Sequence, residues 1–420
     1  MRHVLLLTAL LLLAVGLRLA GPPAAAEAAP PRSNSSEVET ALRHAEGAMD
    51  RGAFDEAWRT LWYVISRDPL QPDAARMLRQ LDDEARFSIP VDGQALEQTL
   101  GRLGTSFRVS QTRHFIILSD CDPEWTASRE ALLQRTYHQM HRFADRLGVD
   151  AYPPRQKLMC VLINEHDAYE TFARTHDRVH AHWVAGYYTA LENRVVFYND
   201  ATGPSFQLAS EQIASYARQA DEARAEAREA RRERRDAYAD QLSDRAHQLE
   251  AHVISERRRL EAHATATSAS KTIHEAAHLV AFNCGIQLRT RRYPFWITEG
   301  LATCFETSDP RRPFGPDRID QDRERGFVRL LEDGRPMPLD RFVALTEVPD
   351  KDAELAESMY PQAYALFRHI ARFHEDELRA MLQEIGSTRP ASDIDFLAMF
   401  ERHFGDAGRF ERRWLLRERR

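Results

Sequence analysis

The stretch from Ser205 to Ala266 contains no glycine and no proline and is rich in alanine, glutamate and arginine. Because these residues are good helix formers, the stretch predicts helix throughout. In its second half, apolar residues recur at steps typical of a coiled-coil seam, at Leu242, Ala246, Leu249, Val253 and Leu260. One straight helix of this length would reach roughly 90 Å. We therefore expect a long helical insertion over residues 205–266, built as a hairpin or as an extended arm.

The charged residues of this insertion alternate in sign, most clearly in ARAEAREARRERRDAYAD. The simplest interpretation is a helix face exposed to solvent. The alternative hypothesis is an arm that binds a protein partner or joins two copies of the chain.

The first residues of the chain, MRHVLLLTALLLLAVGLRLAGPPAAA, have the order typical of a secretory signal peptide: a basic start, an apolar run and an A-x-A cleavage site. Arg18 ends the apolar run after about 14 residues, whereas a bilayer span needs about 20. We predict a signal peptide over residues 1–26, with an uncleaved anchor as the alternative, and a linker over residues 27–36. The mature protein would then be exported, to the periplasm or outside the cell, with no membrane span.

Export would permit disulfides, because the receiving compartment is oxidising. The sequence leaves open whether the four cysteines form two bridges or stay free: Cys121, Cys160, Cys284 and Cys304. The formal net charge of −7 gives no argument for binding nucleic acid, and we expect none.

Residues 37–95 place apolar side chains at three- and four-residue steps, which predicts helices. The turn at Gly52, the alanine at Ala57 and the break RDPLQPDA resemble tetratricopeptide-type helical pairs. One such unit is too small to form a stable solenoid by itself. We expect it to pack on the following domain, and a small partner-binding surface is the alternative.

From about residue 105 to 420 the pattern predicts an α+β domain, interrupted by the insertion. RHFIILSD and KLMCVLIN are short apolar runs typical of strands, and an amphipathic helix separates them. HWVAGYYTALENRVVFYND predicts two further strands around a turn near Glu192 and Asn193. Strand, helix, strand and hairpin in this order favour a mixed fold.

The segment SKTIHEAAHLVAFNCG carries the residues most suggestive of chemistry. On a helix, His274 and His278 lie one turn apart on the same face, so both imidazoles can bind one zinc ion. Glu275 could then act as general base on a water at the metal. The neighbouring residues are mostly apolar, which predicts a buried helix whose polar side chains need partners. Since the chain has 17 histidines, the motif alone could also arise by chance.

A second segment, YPFWITEGLATCFET, supports the metal interpretation. A turn before Glu299 and a helix through it would bring this carboxylate to the two histidines. Two histidines and one glutamate leave a position open, as catalytic zinc sites do.

HExxH followed at this spacing by W-x-x-E-G-L-A resembles the gluzincin metallopeptidases, the clan of thermolysin and aminopeptidase N, and more closely the peptidase-MA-like group of exported bacterial proteins. The resemblance covers the chain from about Arg108 to the C-terminus. It implies a zincin-like domain and one Zn²⁺ per chain, with His274, His278 and Glu299 as ligands and Glu275 as the base. It also implies hydrolysis of peptide bonds in a peptide or protein substrate.

The segment MYPQAYALFRHI adds a third element to the resemblance. Tyr360 matches the tyrosine that donates a hydrogen bond to the tetrahedral oxyanion in aminopeptidase N-like enzymes, and Tyr364 is the alternative. Both could instead be core residues with satisfied hydroxyls. Glu306 could orient a ligand histidine or form a surface ion pair.

Two features near the predicted hairpin are suggested by the family alone. ALEN, at residues 190–193, resembles the exopeptidase motif G-A-M-E-N, whose glutamate holds a substrate amino terminus, although Thr189 and Leu191 depart from it. An ordinary turn at Asn193 is the alternative. The following RVVFYND is the natural candidate for the edge strand that pairs with substrate.

Cys284 and Cys304 follow the two zinc motifs closely. A disulfide between them would brace the metal helices, and two small core residues are the alternative.

Two rival functions remain beside a zinc peptidase. One is an interaction protein whose zinc domain does not hydrolyse peptides and whose helical segments bind partners. The other is a fold held by a structural metal, which three visible ligands argue against.

Overall fold

The computed structural model describes residues 35–179, 185–348, 353–390 and 392–418. The predicted signal peptide, and the predicted linker up to residue 34, lie outside the described residues. The described part of the chain is a mixed α+β protein, which confirms the predicted class at this level.

One five-stranded sheet, in the order β1-β2-β3-β5-β4, forms the centre of the domain. β2, β3 and β5 are parallel, and the edge strands β1 and β4 are antiparallel to their neighbours. The strands are β1 (Arg108–Gln111), β2 (Phe115–Ser119), β3 (Leu158–Ile163), β4 (Gly186–Thr189) and β5 (Arg194–Tyr198).

The predicted hairpin is present as β4 and β5, and Asn193 takes the left-handed turn conformation at φ 50°. The prediction that RVVFYND forms the edge strand is wrong, because β5 lies between β3 and β4. Both strands of the hairpin are buried and apolar, so their composition does not distinguish the inner strand from the edge. Of the two hairpin strands, β4 lies at the edge of the sheet.

The N-terminal helical segment packs on the sheet domain, as the sequence favoured. Its helices are α1 (Ser35–Asp50), α2 (Phe54–Arg67) and α3 (Pro72–Asp83). The ring of Trp62 lies 5.4 Å from that of Tyr152, and Asp82 pairs with the buried His114 at 2.9 Å.

The predicted end of that segment, residue 95, falls inside α4 (Gly93–Leu103). This helix packs against one face of the sheet through Ala95, Leu96 and Leu100. It therefore belongs structurally with the sheet. α5 (Pro123–Leu147) and α6 (His166–His176) are the helices before and after β3.

The predicted insertion is an antiparallel hairpin of α7 (Pro204–Arg232) and α8 (Asp236–Asn283). The two helices pack on each other through small and aliphatic side chains: Ile213, Ala220, Ala223, Ala227 and Ala230 on α7, and Ala239, Leu242, Ala246 and Val253 on α8. α8 continues without a break through the HEAAH motif, over about 70 Å. The seam is thus filled within the chain, and self-association stays a prediction.

The remaining helices complete the core around the second half of α8. They are α9 (Phe295–Phe305), α10 (Gln321–Glu332), α11 (Leu339–Phe342), α12 (Ala353–Phe373), α13 (Glu375–Ser387), α14 (Phe396–Phe404) and α15 (Ala407–Glu418). Side chains of α5, α8, α9 and α12 form one large apolar cluster with one face of the sheet. Among the described helices, none combines the length and apolarity needed to span a bilayer.

Candidate metal centre

Two helices bring the predicted ligands together. α8 carries His274 and His278 one turn apart, and α9 begins after Pro294 and carries Glu299. Trp296 anchors α9, since its fully buried ring contacts Phe367 and Phe400. The carboxylate of Glu299 therefore faces the two imidazoles from a fixed helix.

Three ligand atoms of these residues face a common point. The Nε2 atoms of His274 and His278 are 3.1 Å apart. Oε2 of Glu299 lies 3.2 Å from the first nitrogen and 3.5 Å from the second. Two ligands at the usual zinc distances on a tetrahedron are about 3.3 Å apart. The spacing of this donor set fits a tetrahedral ion, and among the described residues these three form the group able to hold a metal.

The charges at the centre favour a cation. Burial raises the pKa of Glu299, but both histidines outweigh it and lower that pKa to about 2. Burial opposes a charge on His274, but the carboxylates of Glu299 and Glu306 raise its pKa to about 10. Burial lowers the pKa of His278, so this imidazole stays neutral. Without an ion, the proton on His274 supplies the positive charge that the surrounding carboxylates require, and a divalent ion would take the place of that proton.

Glu306 orients the first ligand. Nδ1 of His274 donates a hydrogen bond of 2.7 Å to Oε1 of Glu306, which turns Nε2 toward the other two ligand atoms. Arg323 on α10 donates to both oxygens of Glu306, at 2.7 and 2.6 Å. The sequence left open whether Glu306 orients a ligand histidine or forms a surface ion pair. In the structure Glu306 is buried and holds His274. Arg323 was missed, because QDRERG is a run of polar residues that nothing distinguishes from a solvated helix start.

Glu275 is fully buried beside this centre. Neither carboxylate oxygen has a hydrogen-bond partner among the described residues. The backbone of Tyr188 on β4 lies near enough to lower its pKa, without the geometry of a full hydrogen bond. Burial dominates and, helped by the charge of Glu299, raises the pKa of Glu275 to about 8. An orphaned buried carboxylate costs about 1–3 kcal/mol, which favours a functional reason for it.

The two candidate tyrosines have different surroundings. Tyr360 is buried, its ring lies 5.4 Å from that of Phe295, and burial and the charges of Glu299 and Glu275 raise its pKa well above the usual value. Its hydroxyl thus stays protonated in the field of the centre. The hydroxyl of Tyr364 instead accepts a hydrogen bond from the backbone N–H of Asp320 at 2.9 Å.

Gly300 lets α12, and with it Tyr360, approach α9 closely. A Cβ at this position would lie 2.6 Å from the carbonyl oxygen of Ala363 and 2.6 Å from Cβ of Phe367. The close packing of α9 and α12 therefore requires the glycine of the W-x-x-E-G-L-A motif.

The ALEN segment does not face the centre. Glu192 forms ion pairs with Arg102 at 3.3 Å and Arg194 at 3.7 Å. Asn193 exchanges side-chain hydrogen bonds with Asn283, which ends α8. These contacts are those of a hairpin turn fastened to a helix end, which was the alternative to substrate binding.

The hypothesis of a disulfide between Cys284 and Cys304 is wrong in this structure. All four cysteines are buried and free. Sγ of Cys304 faces the carbonyl oxygen of Tyr364 on α12, at 3.6 Å. Cys284 follows the last residue of α8, and its buried thiol lies within the field of Asp82.

The centre is enclosed. His274, His278 and Glu299 expose 3%, 1% and 1% of their surface. Beside Glu299 lies a cavity of about 10 Å³, room for about one water, lined also by Phe295, Thr298, Thr346, Glu347 and Val348. Neither histidine lines this cavity, and a peptide would require the residues that cover the centre to move.

Comparison with protein families shows that residues 268–392 are similar to a family described as a protein of unknown function (DUF1570). The matched stretch contains every residue of the centre, from His274 to Tyr360. A search of curated proteins found no match, and neither did a search of solved structures. The matched family has no stated activity to transfer, so an argument about function depends on the site.

Proposed function

We propose that the protein is an exported zinc-dependent peptidase of the gluzincin type. The observation that carries the proposal is the triangle of two histidine nitrogens and one carboxylate oxygen, 3.1 to 3.5 Å apart, beside the orphaned carboxylate of Glu275. One ion would satisfy the three converging ligand atoms. The carboxylate of Glu275 stands next to them with no other partner among the described residues.

His274, His278 and Glu299 would hold the ion. A zinc ion there supplies Lewis acidity, polarising a carbonyl and making a water more acidic. Glu306 keeps His274 in the tautomer with a free Nε2, and Arg323 keeps Glu306 ionised: burial raises the pKa of Glu306, but the guanidinium lowers it below its usual value.

The other steps belong to side chains of this chain. Glu275 takes the proton of the attacking water and passes it to the leaving amine, a role open to a buried carboxylate with no other hydrogen-bond partner among the described residues. Tyr360 remains protonated and donates its O–H to the oxyanion. The edge strand β4 offers backbone groups that an extended substrate can pair with.

The test replaces Glu275 with glutamine, which keeps shape and removes the base. We expect zinc content to remain near that of the wild type and cleavage of a broad peptide library to fall by at least about 100-fold. Glu347→Gln, an exposed carboxylate beside the cavity, is the matched control and should keep activity. Full hydrolysis by the Glu275→Gln variant with zinc bound would refute the mechanism.

One observation favours a second candidate, a zinc-containing interaction protein without hydrolysis. The ligands are nearly fully buried, and the helical segments offer large surfaces. Zinc bound at one per chain, with no turnover of the library by the wild type, would support this candidate.

A further inference from the structure

The side chain of Arg129 carries a buried charge that the metal centre does not explain. Arg129, on α5, is 5% exposed. Its Nη1 donates to the hydroxyls of Ser268 at 2.7 Å and Thr272 at 3.4 Å, both on α8. Its Nε also donates to the hydroxyl of Ser128 at 3.3 Å, and its guanidinium lies 5.1 Å from the centre of the Trp125 ring. None of these partners is an anion, and no carboxylate of the described residues forms an ion pair with Arg129. A buried cation without an anionic partner is costly, so it indicates a partner that is absent from the chain itself.

A second cation lies beside it. Lys271 is 9% exposed and donates to Oδ1 of Asp200 at 2.7 Å, with its ammonium 4.2 Å from the centre of the Tyr198 ring. Asp200 is close enough to influence the pKa of Arg129, but it is one acid for two cations. The pair Arg129 and Lys271, which we call the cation pair, therefore has a net positive charge after Asp200 is counted. Glu275, the other acid whose charge reaches Lys271, lies one turn along α8.

The cation pair lies beside the turn of α8 that precedes the metal ligands, with Lys271 on α8 itself and Arg129 reaching it from α5. Ser268, Lys271 and Thr272 precede His274 on α8, and Glu275 follows Lys271 by one turn on the same face. Three to four residues of helix correspond to roughly 5 Å along the axis. One to two extended residues of a peptide cover a similar length.

The packing of α8 on the sheet shows which end of a peptide paired with β4 would lie near the cation pair. Asn283, at the end of α8, contacts Asn193 in the turn that follows β4. Lys271, twelve residues earlier on α8, contacts Tyr198 at the end of β5. Tyr198 follows the residue that pairs with Gly186, so it lies at the level of the start of β4. α8 and β4 therefore run in the same direction. A peptide pairing antiparallel with β4, the slightly more stable arrangement, would place its carboxyl-terminal side at the start of β4. That is the end where the cation pair lies.

We propose that the cation pair recognises a carboxylate on the carboxyl-terminal side of the substrate, one or two residues beyond the scissile bond. The inference rests on the proposed peptidase function. The C-terminal carboxylate of a short peptide and an acidic side chain share this chemistry. The first would make the protein an enzyme that removes one or two residues from peptide ends, and the second would make it an endopeptidase selective for acidic sequences.

Binding tests the inference without depending on turnover. The full chain carrying Glu275→Gln is loaded with zinc and mixed with degenerate hexapeptide pools, and retained peptides are quantified by mass spectrometry after rapid gel filtration. One pool has free C-terminal carboxylates and one has C-terminal amides. A third has amides and lacks Asp and Glu.

We expect retention of a carboxylate-bearing pool to exceed that of the third pool by at least about tenfold, as a charge-assisted contact predicts. Stronger retention of the pool with free C-terminal carboxylates would indicate recognition of the peptide end. Retention of the amide pool that contains Asp and Glu would indicate recognition of an acidic side chain. Added to the same chain, Arg129→Gln should abolish the preference and Arg129→Lys should keep part of it. Arg142→Gln, which removes an exposed charge from the same helix, should leave the preference intact.

Equal retention of all three pools would overturn the inference and leave the peptidase proposal standing. Retention of none, with zinc bound, would count against the peptidase proposal as well. If the Arg129→Gln variant does not fold, the comparison of pools on the parent chain still decides.

Discussion

Nδ1 of His274 lies 2.7 Å from Oε1 of Glu306, and the same carboxylate receives two hydrogen bonds from Arg323. This chain of contacts ties His274 on α8 to Arg323 on α10 through Glu306 at the end of α9. It holds the imidazole at one angle and reserves its Nδ1 for Glu306.

Glu306→Gln should weaken zinc binding by about 10- to 100-fold, because the imidazole loses its anionic partner. Competition with a chromophoric chelator measures the affinity. Glu332→Gln, an exposed carboxylate on α10, is the control and should bind zinc as the wild type does. Equal affinities in the two variants would show that Glu306 has only a structural role.

Tyr360→Phe should reduce kcat for peptide hydrolysis by about 10²- to 10³-fold with little effect on zinc content, because the oxyanion loses a donor. Tyr364→Phe is the matched control, since its hydroxyl is engaged with the backbone of Asp320. A larger loss of kcat in Tyr364→Phe would reverse the assignment.

Gly300→Ala should lower the free energy of unfolding by about 1–3 kcal/mol, because the added methyl meets the backbone of α12 at 2.6 Å. Gly101→Ala is the control, since a Cβ at that position of α4 meets nothing within 4 Å. There the substitution should be neutral or stabilising by up to about 1 kcal/mol. Thermal unfolding monitored by circular dichroism separates the two, and equal shifts would contradict the close approach of α9 and α12.

His141 should make the protein less stable in mild acid. Its Nε2 is buried with no partner among the described residues, and burial, with the charge of His114 nearby, lowers the pKa of His141 to about 3. The unfolded chain takes up this proton below about pH 6.5, whereas the folded chain does not. The free energy of unfolding therefore decreases as the pH falls from about 6.5 toward the folded pKa, by at most about 1.4 kcal/mol per pH unit.

The comparison that isolates this effect is the unfolding midpoint in urea of wild type and His141→Leu between about pH 6.5 and 5. As the pH falls, the urea midpoint of the wild type should decrease more than that of the His141→Leu variant. His247→Leu, which replaces an exposed histidine of the hairpin arm, should show no such change. A constant difference for His141→Leu would mean that the ring takes up its proton equally readily in the folded and the unfolded chain.

The residues around which the centre is built could be predicted from the sequence because their geometry is local. Histidines four apart share a helix face by the helical period alone, and Glu299 lies on a second helix that follows a short turn. The seam of α8 could be predicted on the same basis at Leu242 and Val253, although Leu249 stays half-buried.

The contacts that depend on tertiary packing could not be predicted. Arg323 reaches Glu306 only because α10 packs beside α12, and its neighbour Arg325 looks identical in the sequence. The edge strand was misassigned because β4 and β5 are equally apolar, and only their pairing with β3 separates them. Arg129 became notable only when its burial was known.

The most direct test of the account is the zinc content per chain, measured by native mass spectrometry after purification in the presence of zinc. Wild type and Glu347→Gln should carry about one zinc each, and Glu299→Ala should lose most of it, since a catalytic site has only three protein ligands. Absence of zinc from the wild type, or full occupancy in Glu299→Ala, would contradict the assignment of His274, His278 and Glu299 as a metal centre.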